Sequence, residues 1–363
     1  MTIPIVDPSN YTEQLDGKIA AFQETSKSLA QTLPSAEIYS SPPRHYRLRA
    51  EFRIWHEARR ACYAMTDSST GKPIFLEQYP VASEKINQLM PTLLSAINQS
   101  ETLRKKLFQV EFLSTLAQDA IITLIYHRPL EEDWVQAAEV LQRQLGVVIV
   151  GRSRKQKVVL SRNWVEEKLQ VGERIYRYRQ IEGSFSQPNG HICEQMLSWA
   201  IAHTQTCGGD LLEMYCGNGN FTLPLAQNFR KILATEISKS LVAMALHNLR
   251  DNAIDNVAIV RMSSEDMTQA MNGVRAFHRL QNVDLKSYDF SSVFVDPPRA
   301  GLDDDTLAMV QRFDQIIYFS CNPSSLVANL QKLVNQYRVE ALALFDQFPY
   351  TPHLEVGVIL KKF

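Results

Sequence analysis

The chain has 363 residues, 45% of them hydrophobic and 21% charged, with a formal net charge of −1. This length allows two domains or one large one with a well-filled core, and the balance is that of an ordinary globular enzyme. So small a net charge excludes a chain that coats nucleic acid indiscriminately, while leaving room for a local basic face.

The opening MTIPIVDPSN has no basic stretch followed by an apolar run, so no secretory leader is expected there. No stretch approaches the roughly 18 consecutive apolar residues of a membrane-spanning helix, and the expected location is cytoplasmic, with no membrane partner. Cys62, Cys193, Cys207, Cys216 and Cys321 are scattered and never form C-x-x-C. A metal or iron–sulfur site is therefore not expected, nor are disulfides, and most of these thiols should be free and packed.

Tyr11, Leu15, Ile19, Phe22 and Leu29 recur at helical spacing and predict a first helix. Two prolines in SSPPRHY break it. HYRLRAEFRIWH then alternates, with Tyr46, Leu48, Ala50, Phe52 and Ile54 on one strand face and Arg47, Arg49, Glu51 and Arg53 on the other. SEKINQLMPTLLSAIN reads as a helix in which Pro91 is a kink or lies near the start. LFQVEFLST and AIITLIYH read as a strand pair, EDWVQAAEVLQRQLG as a helix, and GVVIVGRSRKQKVVLS as a basic hairpin. Residues 1–180 thus form a mixed α+β, locally basic region.

From about residue 181 strands and helices alternate. Strands are expected at Asp210–Cys216, Lys231–Ile237, Asn256–Met262, Ser292–Asp296, Gln315–Cys321, Ala341–Asp346 and Glu355–Lys361. Alternation of this kind predicts an α/β domain over 181–363, a mostly parallel seven-stranded sheet with helices on both faces. The last two strands leave no room for a crossover helix and should form an antiparallel pair at one edge.

The turn YCGNGNF after the first of these strands carries Glu213, Tyr215, Gly217, Gly219 and Asn220, and Glu236 ends the next strand. Small residues let the backbone approach a ligand, and an acid about 20 residues on is placed for ribose hydroxyls. The full G-x-G-x-x-G fingerprint is missing, which disfavours a dinucleotide and favours S-adenosylmethionine. An unliganded tight turn is the bland alternative.

Cys321 ends a strand in YFSCNP, where an open α/β sheet delivers its chemistry. Asn322-Pro323 stops that strand, Ser324-Ser325 is a candidate helix cap, and a nearby helix amino terminus should lower the thiol pKa. Cys216, beside the cofactor turn, is the competing thiol. A thiolate beside a methylsulfonium can add to carbon 6 of uracil and make carbon 5 nucleophilic. A base must then remove the carbon 5 proton, and Glu355, entering an apolar strand, is the best placed, with His353 as the alternative. Asp296, pinned by two prolines in FVDPPRAGL, should point into the same crevice, and Arg299 stands where an aromatic would serve amino-group methylation. Asp303–Asp305 should cap the next helix.

LLEMYCGNGNF, LATEISK, MTQAMNGVRAFHRLQ, FVDPPRAGLD, YFSCNP, ALFDQFPYTPHLEVGV, HYRLRAEFRIWH and SFSQPN together closely resemble the bacterial tRNA (uracil-5-)-methyltransferases over essentially the whole chain. The resemblance implies a Rossmann-like class I methyltransferase domain behind an N-terminal α+β RNA-binding region. It also implies methyl transfer from S-adenosylmethionine to carbon 5 of uridine 54 in the tRNA T loop, with T-loop-like RNAs such as tmRNA as further substrates. The family's nucleophile falls on Cys321 and its proton acceptor on Glu355; its cofactor contacts fall on Gln187, Tyr215, Asn220, Glu236 and Asp296. The ribosomal-RNA relatives carry an extra barrel and a cysteine cluster, and this chain shows neither. The chain is expected to act as a monomer on the T arm. Arg49 and Arg53 are the first candidates for RNA contact, with Phe108 and His127 supporting a displaced loop. An RNA-binding tRNA folding factor and a cytosine-5 methyltransferase are the alternatives; the first leaves Cys321 with Glu355 unexplained, and the second usually shows Pro-Cys or Thr-Cys.

Overall fold

The computed structural model describes residues 6–58, 60–67, 70–205 and 208–363. Cys207 and the first residues of MTIPIVDPSN lie outside them. The chain forms two units. One comprises Pro42–Lys168 and Gln180–Gly190; the other comprises Asn10–Ser41, Leu169–Arg179 and His191–Phe363.

The first unit is a seven-stranded sheet whose order runs Pro73–Leu76, Arg60–Thr66, Arg49–Glu57, Leu107–Ser114, Ala120–Tyr126, Val148–Ser153, Gln156–Val159. Neighbours are antiparallel except Ala120–Tyr126 with Val148–Ser153, a parallel pair that needs the crossover helix Glu132–Leu145. In Arg49–Glu57 the alternation holds: Ala50, Phe52 and Ile54 are buried, and Phe52 packs edge-on against Tyr79 and Phe112. Trp134 of the crossover helix lies so close under Gly151 that a Cβ there would overlap its ring. Pro91 sits in the interior of helix Glu84–Gln99, and its start is set by Ser83, whose Oγ accepts from Ile86 N–H at 3.2 Å.

The second unit is an eight-stranded sheet, numbered here in chain order: β1 Glu37–Tyr39, β2 Asp210–Met214, β3 Lys231–Thr235, β4 Val257–Val260, β5 Phe290–Val295, β6 Gln315–Ser320, β7 Tyr337–Phe345 and β8 Glu355–Lys362. Their spatial order is β1-β7-β8-β6-β5-β2-β3-β4. All neighbours are parallel except β8, which runs against both β6 and β7. The reversed strand is therefore inside the sheet, not at its edge.

β1 and the helix before it belong to the second unit, not to a region bounded at residue 180. β1 adds to β7 in parallel, pairing Glu37 with Ala343 and Tyr39 with Phe345. The helix Tyr11–Ser26, which ends before Leu29, is tied to the carboxyl-terminal part by a buried carboxylate. Tyr11 Oη (2.8 Å), Gln14 Nε2 (3.0 Å) and Lys18 Nζ (2.6 Å) all donate to Asp346, and Lys18 also donates to the Phe348 carbonyl. These three residues share one face of a 3.6-residue helix. Propensity and periodicity define the helix but not its partner, which lies more than 300 positions away. No helix among the described residues is long and apolar enough to cross a membrane.

Candidate active site

Sheet register alone gathers the chemistry of the second unit. Glu213 of β2 pairs with Phe294 of β5, and Phe294 with Ile317 of β6. Because side chains alternate along a strand, Asp296, Phe319 and Cys321 follow on the same face. Phe319 pairs with Gly357 of β8 and Ser320 with Val356, so one step further Cys321 stands opposite Glu355. Glu355, Cys321, Asp296 and Glu213 thus lie on one face of four adjacent strands, β8-β6-β5-β2, in a diagonal that runs deeper into the sheet from Cys321 to Asp296 to Glu213. Deeper on this face lies an aromatic layer: Phe221 stands 4.7 Å from Phe294 and 4.6 Å from Phe319, and Trp199 stands edge-on to Phe319 and Phe345. Gly357 leaves room for it, since a Cβ there would come within 2.9 Å of Trp199 and 3.1 Å of Phe319.

This face is acidic, with Glu213 and Glu355 buried and Asp296 and Cys321 half-buried. Burial, and then Asp296, hold the Glu355 carboxyl well above the usual carboxylate range, and Glu355 is only 4% exposed. Burial likewise raises Asp296. Glu213 is pushed up to about 8, by burial first and Asp296 besides, and neither of its oxygens has a hydrogen-bond partner. The Thr222 hydroxyl lies alongside without closing a bond. Each buried carboxyl makes ionisation of its neighbour harder.

The Cys321 thiol is raised too, by burial first, then by Glu355 and Asp296. This reverses the expectation of a thiol acidified by a helix. The helix Pro323–Leu333 does begin beside Cys321, but Asn322 caps it, with Oδ1 accepting from Ser324 N–H at 3.2 Å. Ser324 and Ser325 are not the cap. The influence opposing the carboxyls is the exposed Arg299, whose guanidinium pulls the thiol pKa down, though by less than burial and the carboxyls push it up. Its Nη2 is 3.4 Å from His353 Nε2. Asp303 caps the helix Asp304–Val310 as expected, accepting from Thr306 N–H at 2.8 Å.

The turn after β2 is built for close approach. Tyr215, Gly217 and Gly219 all have positive φ, at 64°, 59° and 87°. Such values suit glycine and strain tyrosine, a cost that tends to collect at ligand sites. Open space faces Gly217, whereas a Cβ on Gly219 would come within 2.7 Å of Leu223. Glu236 closes the turn from β3, its carboxylate accepting from Gly217 N–H at 3.1 Å and Ser238 N–H at 2.8 Å. Asn220 turns its amide to the Cys193 thiol, 3.4 Å away, and its carbonyl accepts from Tyr178 Oη at 2.9 Å. Cys216 is buried, with its thiol strongly raised by burial, whereas Cys321 is half-buried. Among the described residues, no group of three or more His, Cys, Asp or Glu side chains is gathered to hold a metal.

The first unit brings together three of the four residues expected to meet RNA. Phe108 and His127 stack at 4.1 Å between ring centroids, and Arg53 lies over the Phe108 ring at 4.5 Å. His127 and Arg53 are exposed and Phe108 half-buried. Arg49 is turned elsewhere: it is half-buried and donates to the Ser184 carbonyl at 2.6 Å. The arginine face also proves mixed, because Glu51 pairs directly with Glu111 across the strands. Gln187 is half-buried in the Gln180–Gly190 segment of this unit.

A mostly parallel sheet with a glycine-bearing turn after one strand, an acid on the next and a reversed strand beside the site has the Rossmann-like architecture of the class I methyltransferases. The tRNA (uracil-5-)-methyltransferase family matches residues 10–363, and the chain belongs to that family. A tRNA/tmRNA (uracil-C(5))-methyltransferase of Azotobacter vinelandii is 55% identical over 363 residues, covering 100% of both chains. One from Cellvibrio japonicus is 54% identical over 352 residues, covering 97% of this chain and 96% of the other. Among solved structures, the tRNA (uracil-54, C5)-methyltransferase of Pyrococcus abyssi, in complex with S-adenosyl-L-homocysteine, superposes with a TM-score of 0.71 at 19% identity. It covers 97% of this chain and 83% of that one, a likeness of fold. The chain is thus an enzyme of the tRNA (uracil-5-)-methyltransferase family.

Proposed function

We propose that the enzyme methylates carbon 5 of uridine 54 in the T loop of tRNA, and the matching loop of tmRNA, through a covalent bond from Cys321 to carbon 6. The observation that carries this is the facing of Cys321 and Glu355 one step beyond the Ser320–Val356 pair. The thiolate adds to carbon 6, and the carbon 5–carbon 6 π electrons move toward carbon 5 and the 4-carbonyl. S-adenosylmethionine, when bound, supplies an electrophilic methyl group. Glu355 then takes the carbon 5 proton; the electrons of that C–H bond restore the double bond, and the sulfur–carbon bond breaks to return the thiolate. Glu355 accepts in its ionised form. Burial leaves that acceptor poorly hydrated and so more basic.

Tyr215, Asn220, Glu236 and Asp296 are assigned to the cofactor, supported by the open face at Gly217 and the Glu236 clasp on the turn. Gln187 joins them on family resemblance. Uridine must leave its stacked loop before any thiol can reach it, and the exposed Arg53–Phe108–His127 stack is suited to hold unstacked bases and their phosphates. The enzyme acts as a monomer in the cytoplasm in this reading.

The test is mass mapping of nucleosides in tRNA after incubation with labelled cofactor. Methyl on uridine 54 is expected; methyl on another position or base overturns the assignment. RNA carrying 5-fluorouridine at that position should remain covalently bound to Cys321, since fluorine cannot leave as a proton.

A further inference from the structure

We infer that Arg299 is the cation that makes Cys321 reactive, held against the thiol by His353 and by the segment that follows the nucleophile. The inference rests on Cys321 being the nucleophile, and it adds what that role lacks. A thiol ringed by carboxyls is a poor source of thiolate. Cys321 meets Glu355 from β8 and Asp296 from the end of β5, and both oppose its ionisation. Arg299 stands against them. Guanidinium is permanently charged, so the field it supplies does not change with pH.

Three features hold it there. Asn322, the residue after the nucleophile, donates its side-chain amide to the Arg299 carbonyl at 2.8 Å. The loop carrying Arg299 is fixed further along by Asn329, whose Oδ1 accepts from Leu302 N–H at 2.9 Å and from Tyr318 Oη at 2.7 Å. Gly301 gives room for that anchor: its φ is +79°, and a Cβ there would come within 2.7 Å of Asn329 Oδ1. Finally, His353 accepts from the guanidinium. Burial, Arg299 and Lys18 all lower the His353 pKa, so the ring is neutral at neutral pH and free to accept. His353 is thus a positioning residue, not a second base. The same cation serves the last step, in which the leaving sulfur again becomes a thiolate.

The experiment is the pH dependence of Cys321 alkylation by iodoacetamide in the full-length protein without added cofactor, with the labelled peptide identified by mass. Arg299→Ala should move the midpoint for Cys321 upward by about one pH unit or more, Arg299→Lys should restore part of the shift, and His353→Ala should shift it less. The Cys62 peptide is the internal control and should not move. Circular dichroism guards against misfolding, and the lysine variant keeps the test decisive if Arg299→Ala does not fold. An unchanged Cys321 midpoint overturns the inference, even if methylation is lost, because Arg299 would then be a phosphate ligand. Methylation by Cys321→Ala at the ordinary rate would instead overturn the nucleophile assignment and leave the alkylation midpoints untouched.

Discussion

Cys321 and Glu355 lie together one step past the Ser320–Val356 pair of two antiparallel strands, so the proposed nucleophile and base come from neighbours whose register is set by the core. Strand pairing holds them closer and more rigidly than two loops would. Removing either member should stop the reaction at a different place. Cys321→Ala should form no adduct. Glu355→Gln should form the adduct and fail to release it, with turnover down by about 10²–10⁴-fold. Denaturing gels of enzyme with labelled tRNA distinguish the two; a Glu355→Gln enzyme that releases methylated RNA at the normal rate would remove Glu355 as the base.

The buried carboxyls make stability depend on pH. Glu213 ionises at about 8 in the folded protein and near the ordinary glutamate value when unfolded. Between these values the folded state keeps a proton that the unfolded chain has released, so stability is full below about pH 4.5 and falls as pH rises, at about 1.4 kcal/mol per unit for this group. Asp296 and Glu355 act in the same direction. Glu213→Gln should remove one group's share of the slope. Urea unfolding at about pH 5, 6.5 and 8 measures it; parallel curves for variant and wild type would contradict it.

Lys18 and Asp346 form an ion pair with side chains 5% and 0% exposed. Breaking such a pair leaves an uncompensated buried charge, and Lys18→Met is expected to cost about 3–5 kcal/mol. Tyr11 and Gln14 still donate to Asp346, which favours the lower end. Chemical denaturation gives the value, and a loss below about 1 kcal/mol would mean the pair behaves like an exposed one.

Arg53 and Arg49 should respond differently to truncation. Phe108→Ala and Arg53→Ala should weaken tRNA binding by about 1–3 kcal/mol each with little change in folding. Arg49→Ala should chiefly lower stability, because it abandons the Ser184 carbonyl and half-buried strand surface. Filter binding beside thermal unfolding separates the two effects. Equal affinity loss without destabilisation in Arg49→Ala would put that arginine on the RNA.

Much of this architecture was legible in the amino-acid order. The strand–helix rhythm after residue 181, the alternation in Arg49–Glu57 and the strand ends at Glu213, Asp296 and Cys321 follow from local periodicity and punctuation by Pro, Gly and Asn. What missed was non-local. The short β1 carries no periodic signal over three residues, so its addition to β7 could be read only from pairing. The last hairpin was expected at an edge and lies inside the sheet for the same reason.

Local order by itself determined which residues have the chemistry: a thiol at a strand end, an acid entering an apolar strand, a turn of small residues. Tertiary structure decided how those groups behave. Strand order placed two carboxyls, Glu355 and Asp296, beside Cys321, and burial there raises a thiol that its helix neighbour alone would acidify. It also turned Arg49 to the Ser184 carbonyl and set Arg299, with His353, near Cys321. The reason is physical: a side chain's identity is carried by the chain, whereas its pKa and partners depend on the charges and solvent that distant segments bring to it.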